Sequence, residues 1–202
     1  IHTDFVILNT QSEGDFNHNY SLKQIDISDY IGIPIYVAFV MESNGGNGWY
    51  IDDIDLSSAF TYVPDDNFEN YLEASGMGDV TPFNNYVLTA NINSITTLDV
   101  HNENISDLTG IEDFTDLEIL RCEFNNLTSL DLSSNTALQQ LHCYNNVLTS
   151  LDVSTNTALT LLYCYDNDLT TLDVSTNTSL TALKVQDNFL TTLDITTNTQ
   201  LT

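Results

Sequence analysis

Basic side chains are almost missing from this chain: its 202 residues hold 3 Lys and Arg against 29 Asp and Glu, a formal charge of −26. Phosphate recognition needs cations that displace condensed counterions, so nucleic acid is excluded as a partner. An anionic membrane surface is disfavoured for the same reason. Long apolar runs are lacking too. The most apolar stretch, YIGIPIYVAFVM, is short and contains Pro34, so no membrane insertion is expected. Histidine is scarce: His2, His18, His101 and His142 fall in no metal spacing and beside no suitable nucleophile. No glycine-rich phosphate loop follows a strand, and the acidic pairs sit on exposed loops without an enclosing cleft. The expectation is that the chain is not an enzyme.

What is present suffices for a core, because 42% of the residues are hydrophobic. The acidity then reads as solubility in a screening medium, or as divalent-cation binding. The chain starts at Ile1 without Met or a signal peptide, and ends at Leu201 and Thr202 just inside a new repeat. A solenoid normally carries a polar terminal cap. A segment of a longer polypeptide with further domains is therefore expected.

Self-alignment gives a 21-residue period marked by Leu117, Leu138, Leu159, Leu180 and Leu201. Each copy reads L-x-x-L-x-C/V-x-x-N-x-L-T/S-T/S-L-D-V-S/T-x-N-T-x. A 22-residue copy at 95–116 precedes them, with Ile95, Leu98, Val100, Ile105 and Leu108 in the same slots. Tandem copies of this length specify a solenoid of stacked coils. Both halves of a copy share the pattern L-x-x-L-x-apolar-x-x-N, as in Leu138, Leu141, Cys143, Asn146 and then Leu148, Leu151, Val153, Asn156. In-out alternation within each half predicts two parallel sheets, with an Asn closing each turn. Asn125, Asn146, Asn167 and Asn188 form one predicted ladder, and Asn135, Asn156, Asn177 and Asn198 the other. An amide side chain suits this role because it both donates and accepts. One coil buries too little to offset the ordering of its backbone, so stacking must supply the rest.

Cys122, Cys143 and Cys164 share one slot, which Val185 takes in the next copy. Replacement by Val marks the slot as apolar and inward. Coils about 4.8 Å apart hold parallel Cβ atoms too far apart for a disulfide, which prefers roughly 3.5–4.5 Å. Buried free thiols are expected.

The outward positions divide into two characters. In the second half they are nearly constant: Ser129-Asp131-Ser133, Ser150-Asp152-Ser154, Thr171-Asp173-Ser175 and Thr192-Asp194-Thr196. An Asp stripe invites calcium, but like charges about 4.8 Å apart repel by only about 0.9 kcal/mol in water and need no ion. A Thr/Ser lattice also suggests ice binding, a minor reading because a carboxylate interrupts every rung. In the first half the outward pairs vary: Arg121/Glu123, His142/Tyr144, Tyr163/Tyr165 and Lys184/Gln186. Tyrosine and arginine anchor interfaces, and aromatic platforms stack on sugar rings. Unconstrained drift of a surface would also produce variation. These eight residues are the predicted ligand-binding set.

The repeats resemble the nested 21-residue class of bacterial leucine-rich repeats over residues 95–202, in copies at 95–116, 117–137, 138–158, 159–179 and 180–200, with a new start at 201. VPDDNFENYLEASG, within a 61–94 capping segment, resembles the N-terminal cap of internalin-like proteins. It reads as a short helix with a capping box from Asp66 and Glu69, Phe68 and Leu72 facing the core, and Gly76 ending it. ISDLTGIEDFTDL resembles an internalin-type 22-residue repeat.

Residues 1–60 read as four strands, DFVILNT, SLKQIDIS, IPIYVAFVMES and GWYIDDIDLSS. YVAFVMESNGGNGWYIDDIDL resembles the end of a MAM-related jelly-roll β-sandwich of the kind found beside adhesin and peptidase modules. That resemblance implies calcium at Asp52 and Asp53, with a hydrogen-bonded structural Asp as the alternative. The expected fold is mainly β: the C-terminal part of a jelly roll, a short capping helix, and a leucine-rich-repeat solenoid with two parallel sheets. Jelly roll plus repeats resembles large secreted Bacteroidetes proteins exported by the type IX pathway. The resemblance implies a secreted or cell-surface adhesion module with a protein or polysaccharide ligand; the alternative is a structural spacer displaying a neighbouring domain.

Overall fold

The structure is a computed structural model that describes residues 60–79 and 83–202, all within one compact unit. The jelly-roll expectation for 1–60, and the calcium expectation for Asp52 and Asp53, fall outside the described residues, Phe60 excepted.

The described chain opens with a hairpin and a helix. Strand β1 (Phe60–Tyr62) pairs antiparallel with β2 (Tyr86–Leu88), and helix α1 (Asp66–Ala74) lies between them in sequence. Phe68 and Leu72 are fully buried, and the Phe68 ring lies 6.4 Å from that of Phe114 in the first coil. The helix start differs from the predicted capping box. Asp65, not Asp66, is the N-cap, and its Oδ1 accepts from the Asn67 and Phe68 amides at 3.0 Å. That shifts Glu69 one place beyond the box position. Its Oε1 instead accepts from the amides of Asn84 and Asn85. The other oxygen of Asp65 accepts from Ser106 N, Ser106 Oγ and Asp107 N, so one carboxylate both caps the helix and clamps it to the first coil. These donors outweigh burial and hold the Asp65 carboxyl below its usual range.

Gly76 ends the helix as predicted, at φ +75. Its amide donates to Glu73 O and that of Met77 to Leu72 O, the paired bonds of a Schellman motif. A short helix α2 (Thr89–Ile92) leads into the repeats. Gly110, at φ +104, is where hairpin and coil meet: a Cβ there would lie 2.9 Å from Tyr62 O. Only glycine fits.

The solenoid is built on one five-stranded parallel sheet, β3 (Thr97–Asp99), β4 (Ile119–Arg121), β5 (Gln140–His142), β6 (Leu161–Tyr163) and β7 (Ala182–Lys184), in sequence order. Register aligns Leu98, Leu120, Leu141, Leu162 and Leu183 as the inward column. The core is continuous from Val63 to Leu180 and includes Cys122, Cys143 and Cys164, all fully buried as free thiols. Burial pushes the Cys164 thiol up to about 12.

The opposite side of each coil differs from the expected second sheet: among the described residues no strand forms there. Its amides close local turns instead, with Asn135 N donating to Leu132 O and Leu138 N to Asn135 O, and so on in each later coil. The outward Asp takes part in these turns: Asp131, Asp152, Asp173 and Asp194 each accept from the amide two residues on, at 2.8–2.9 Å.

Candidate functional site

Three outward columns stand on the sheet. The first holds Thr97, Ile119, Gln140, Leu161 and Ala182, and the second Asp99, Arg121, His142, Tyr163 and Lys184. Backbone bonds such as Asn102 N to Glu123 O, Phe124 N to Tyr144 O, Asn145 N to Tyr165 O and Asp166 N to Gln186 O carry the register past the strands. They align His101, Glu123, Tyr144, Tyr165 and Gln186 as the third column. The predicted set therefore lies in the second and third columns. The first column, together with Asp99 and His101, was missed. One further step of the same alternation reaches it, and the 22-residue spacing of the first copy concealed the other two.

The first end of this face is ionic. His101 Nδ1 lies 2.6 Å from Asp99 Oδ1, Arg121 Nε lies 3.7 Å from Asp99 Oδ2, and an Arg121 terminal amine donates to Glu123 Oε1 at 3.0 Å. Burial opposes ionisation of Asp99, but the His101 hydrogen bonds outweigh it and hold its carboxyl below the usual range. Glu123 departs from the expected outward position. Its side chain is 2% exposed, and its Oε2 has no hydrogen-bond partner. It lies beneath Arg121 and Tyr144, whose hydroxyl donates to Oε1 at 3.4 Å.

The middle is aromatic. Tyr144 and Tyr165 stack at 4.3 Å and 9°, Phe124 meets Tyr144 edge-on at 5.3 Å, and His142 meets Tyr163 edge-on at 5.2 Å. Lys184 Nζ sits 4.5 Å over the Tyr163 ring, a cation–π contact. Coils follow one another at about 4.8 Å, so rings stacked between coils have their planes across the solenoid axis. Their faces meet neighbouring coils and their edges meet solvent. Burial, then the Glu123 carboxylate and Tyr165, push the Tyr144 phenol up to about 12. Burial lowers His142 from its ordinary value despite Glu123.

Each first-half turn passes through a left-handed residue: Phe124, Asn145, Asp166 and Asp187, at φ 58, 53, 50 and 56. Asn and Asp tolerate this region and Phe does not. Phe124 nevertheless occupies it with half its surface exposed, 51%. On the turn side, the carboxyls of Asp152, Asp173 and Asp194 are held below their usual range by the backbone amide and hydroxyl two residues on.

No protein-family model matches the chain. Internalin J of Listeria monocytogenes serotype 4b (strain F2365) is 45% identical over 75 residues, which is 37% of this chain and 8% of internalin J. The chain therefore spans a small part of that relative. A solved functional domain of internalin J from Listeria monocytogenes, described as including a cysteine ladder, aligns with TM-score 0.65 and 44% identity, over 70% of this chain and 32% of that one. An internalin (inlF) from strain 4b F2365 aligns at TM-score 0.55 and 25% identity, over 69% and 48%. The repeats are thus internalin-like leucine-rich repeats, and Cys122, Cys143 and Cys164 stand one to a coil as buried free thiols. The Bacteroidetes resemblance and its export route receive no support from these matches.

Proposed function

We propose that the chain is a binding or adhesion module, secreted or displayed on the outer cell surface, that recognises a protein or polysaccharide through the sheet face of its repeats. The observation that carries this is the contrast between a fixed scaffold and a varied face. Inward leucines and Asn ladders repeat through the later coils, while the second outward column changes residue type at each rung and the third at every rung but Tyr144 to Tyr165. A rigid array of tyrosines and charges offers contact area at low entropic cost. The likeness of the repeats to internalins supports placement outside the cell. Among the described residues no helix is long and apolar enough to cross a membrane.

The test is a pull-down against surface proteins and a polysaccharide panel, using wild type and a Tyr144→Ala/Tyr163→Ala/Tyr165→Ala variant shown to be folded. Retention by wild type alone supports the reading and names the ligand class. A second reading is a spacer that displays a neighbouring domain. It is favoured by the way these rings cover one another, as a purely stabilising ladder would. Equal retention by both proteins favours that spacer.

A further inference from the structure

Glu123 breaks the pattern of its own column. Tyr144, Tyr165 and Gln186 hold the equivalent position in the next three coils, and none of them is a carboxylate. Glu123 is buried, with its side chain 2% exposed and its Oε2 without a hydrogen-bond partner. A buried carboxylate with a bare oxygen lowers stability, and apolar side chains of similar volume often replace such a group without loss. The later coils keep their register without one, so the scaffold does not call for it.

What Glu123 holds stands on the sheet face. Its Oε1 accepts from an Arg121 terminal amine at 3.0 Å and from the Tyr144 hydroxyl at 3.4 Å. Arg121 belongs to the second column and Tyr144 to the third, one coil further on, so a single oxygen ties two columns across two coils. The next residue is a second local exception that meets the same ring. Phe124 sits at φ 58, where the later coils place Asn145, Asp166 and Asp187, and its ring meets Tyr144 edge-on at 5.3 Å. With Tyr165 stacked at 4.3 Å, Tyr144 is held at its hydroxyl and at its ring. Two neighbouring residues that break local rules both converge on it.

We propose that Glu123 is a positioning residue for the binding face: it fixes the Arg121 guanidinium and the Tyr144 ring in one arrangement, at a cost in stability to its coil. Side chains already ordered need not be ordered on contact, and that is the gain for a recognising surface. This rests on the proposed binding role of the sheet face and gives Glu123 a part in it other than touching the partner.

The experiment compares wild type, Glu123→Leu and Glu123→Gln. Removing the carboxylate strands no charge, because the Arg121 side chain is 44% exposed and its Nε lies 3.7 Å from Asp99. The urea midpoint of Glu123→Leu should therefore equal or exceed that of wild type. Acetylation by N-acetylimidazole at neutral pH, read residue by residue from peptide masses, reports how firmly each tyrosine hydroxyl is held. Tyr144 should react about tenfold faster in Glu123→Leu, for loss of a hydrogen bond to a charged acceptor. Tyr163, in the other column, should be unchanged. Glu123→Gln keeps an acceptor of the same shape and should bring Tyr144 back to within about threefold of wild type. In the pull-down, Glu123→Leu should lose most of the retention, and Glu123→Gln should recover part of it. A lowered urea midpoint in Glu123→Leu would make Glu123 a structural residue, and an unchanged Tyr144 rate would show that it fixes nothing; either overturns the inference. So would full retention by Glu123→Leu where wild type binds. Should wild type retain nothing, the binding role falls, while the midpoint and the acetylation rates still decide whether Glu123 positions Tyr144.

Discussion

Every coil meets the same requirement twice, once on its strand side and once on its turn side, and the two solutions differ. Both use the pattern L-x-x-L-x-apolar-x-x-N. On the strand side the Asn spends both ends of its amide. Asn146 Oδ1 accepts from Leu127 N, and its Nδ2 donates to Cys122 O and Cys143 O. On the turn side Asn156 Nδ2 donates to Leu132 O and Asn135 O, while its Oδ1 has no hydrogen-bond partner, as in Asn135, Asn177 and Asn198. One ladder links coils through donors and acceptors, the other through donors alone. Variation is confined to the side that also has backbone ladder bonds, which hold register whatever the outward residue. On the turn side the outward Asp of the four later coils accepts from the amide two residues on, and among those coils it does not vary.

The largest expected effect separates the two ladders. Asn146→Ala leaves the buried Leu127 amide unsatisfied and removes one donor from each of two carbonyls, a loss of about 2–5 kcal/mol. Asn156→Ala removes two donors but strands no group, because Leu132 O still accepts from Asn135 N and Asn135 O from Leu138 N. About 1–3 kcal/mol is expected there. Urea unfolding of both variants checks the order. A larger loss from Asn156→Ala would mean that its Oδ1 is satisfied after all.

A smaller effect appears in alkali and belongs to the strand side. With its phenol raised from 10.0 to about 12, Tyr144 favours the fold in its neutral form. That contribution is complete below pH 10 and fades as pH rises through about 12. Ultraviolet titration should show a late tyrosine phase that Tyr144→Phe removes. A phase unchanged by that substitution would assign the late ionisation elsewhere.

The smallest effect is in acid and belongs to the turn side. Asp152 and Asp173 have carboxyls lowered from 3.8 by bonds from the Ser two residues on. Their contribution is present above that value and is lost as pH falls below it. Asp152→Asn keeps an acceptor for Ser154 N and should flatten the acid limb slightly. Asp152→Ala should lower the melting temperature at neutral pH as well. Identical melting of the two would show that this turn does not need its acceptor.

Much of the scaffold was legible because its demands recur. A slot that takes Leu at 120, 141, 162 and 183 has to face inward, and replacement of Cys by Val at 185 marked the thiols as core. The turn side was not legible as turns, since Leu-Asp-Val alternates as a strand does. The helix cap was one residue off because Asp65 and Asp66 are both able caps, and the clamp to Ser106 that selects Asp65 spans 41 positions. Column membership on the sheet face was largely readable. Burial of Glu123 was not, because it depends on how Arg121 and Tyr144 fold over it.

The central claim is that the strand side binds and the turn side only builds. It is tested most directly by measuring one captured ligand against two folded variants that each alter three outward positions. Tyr144→Ala/Tyr163→Ala/Tyr165→Ala should abolish capture, and Asp152→Asn/Asp173→Asn/Asp194→Asn should leave it intact. Capture that survives the tyrosine changes and is lost with the aspartates would contradict the account and move the binding surface to the opposite side of the coil.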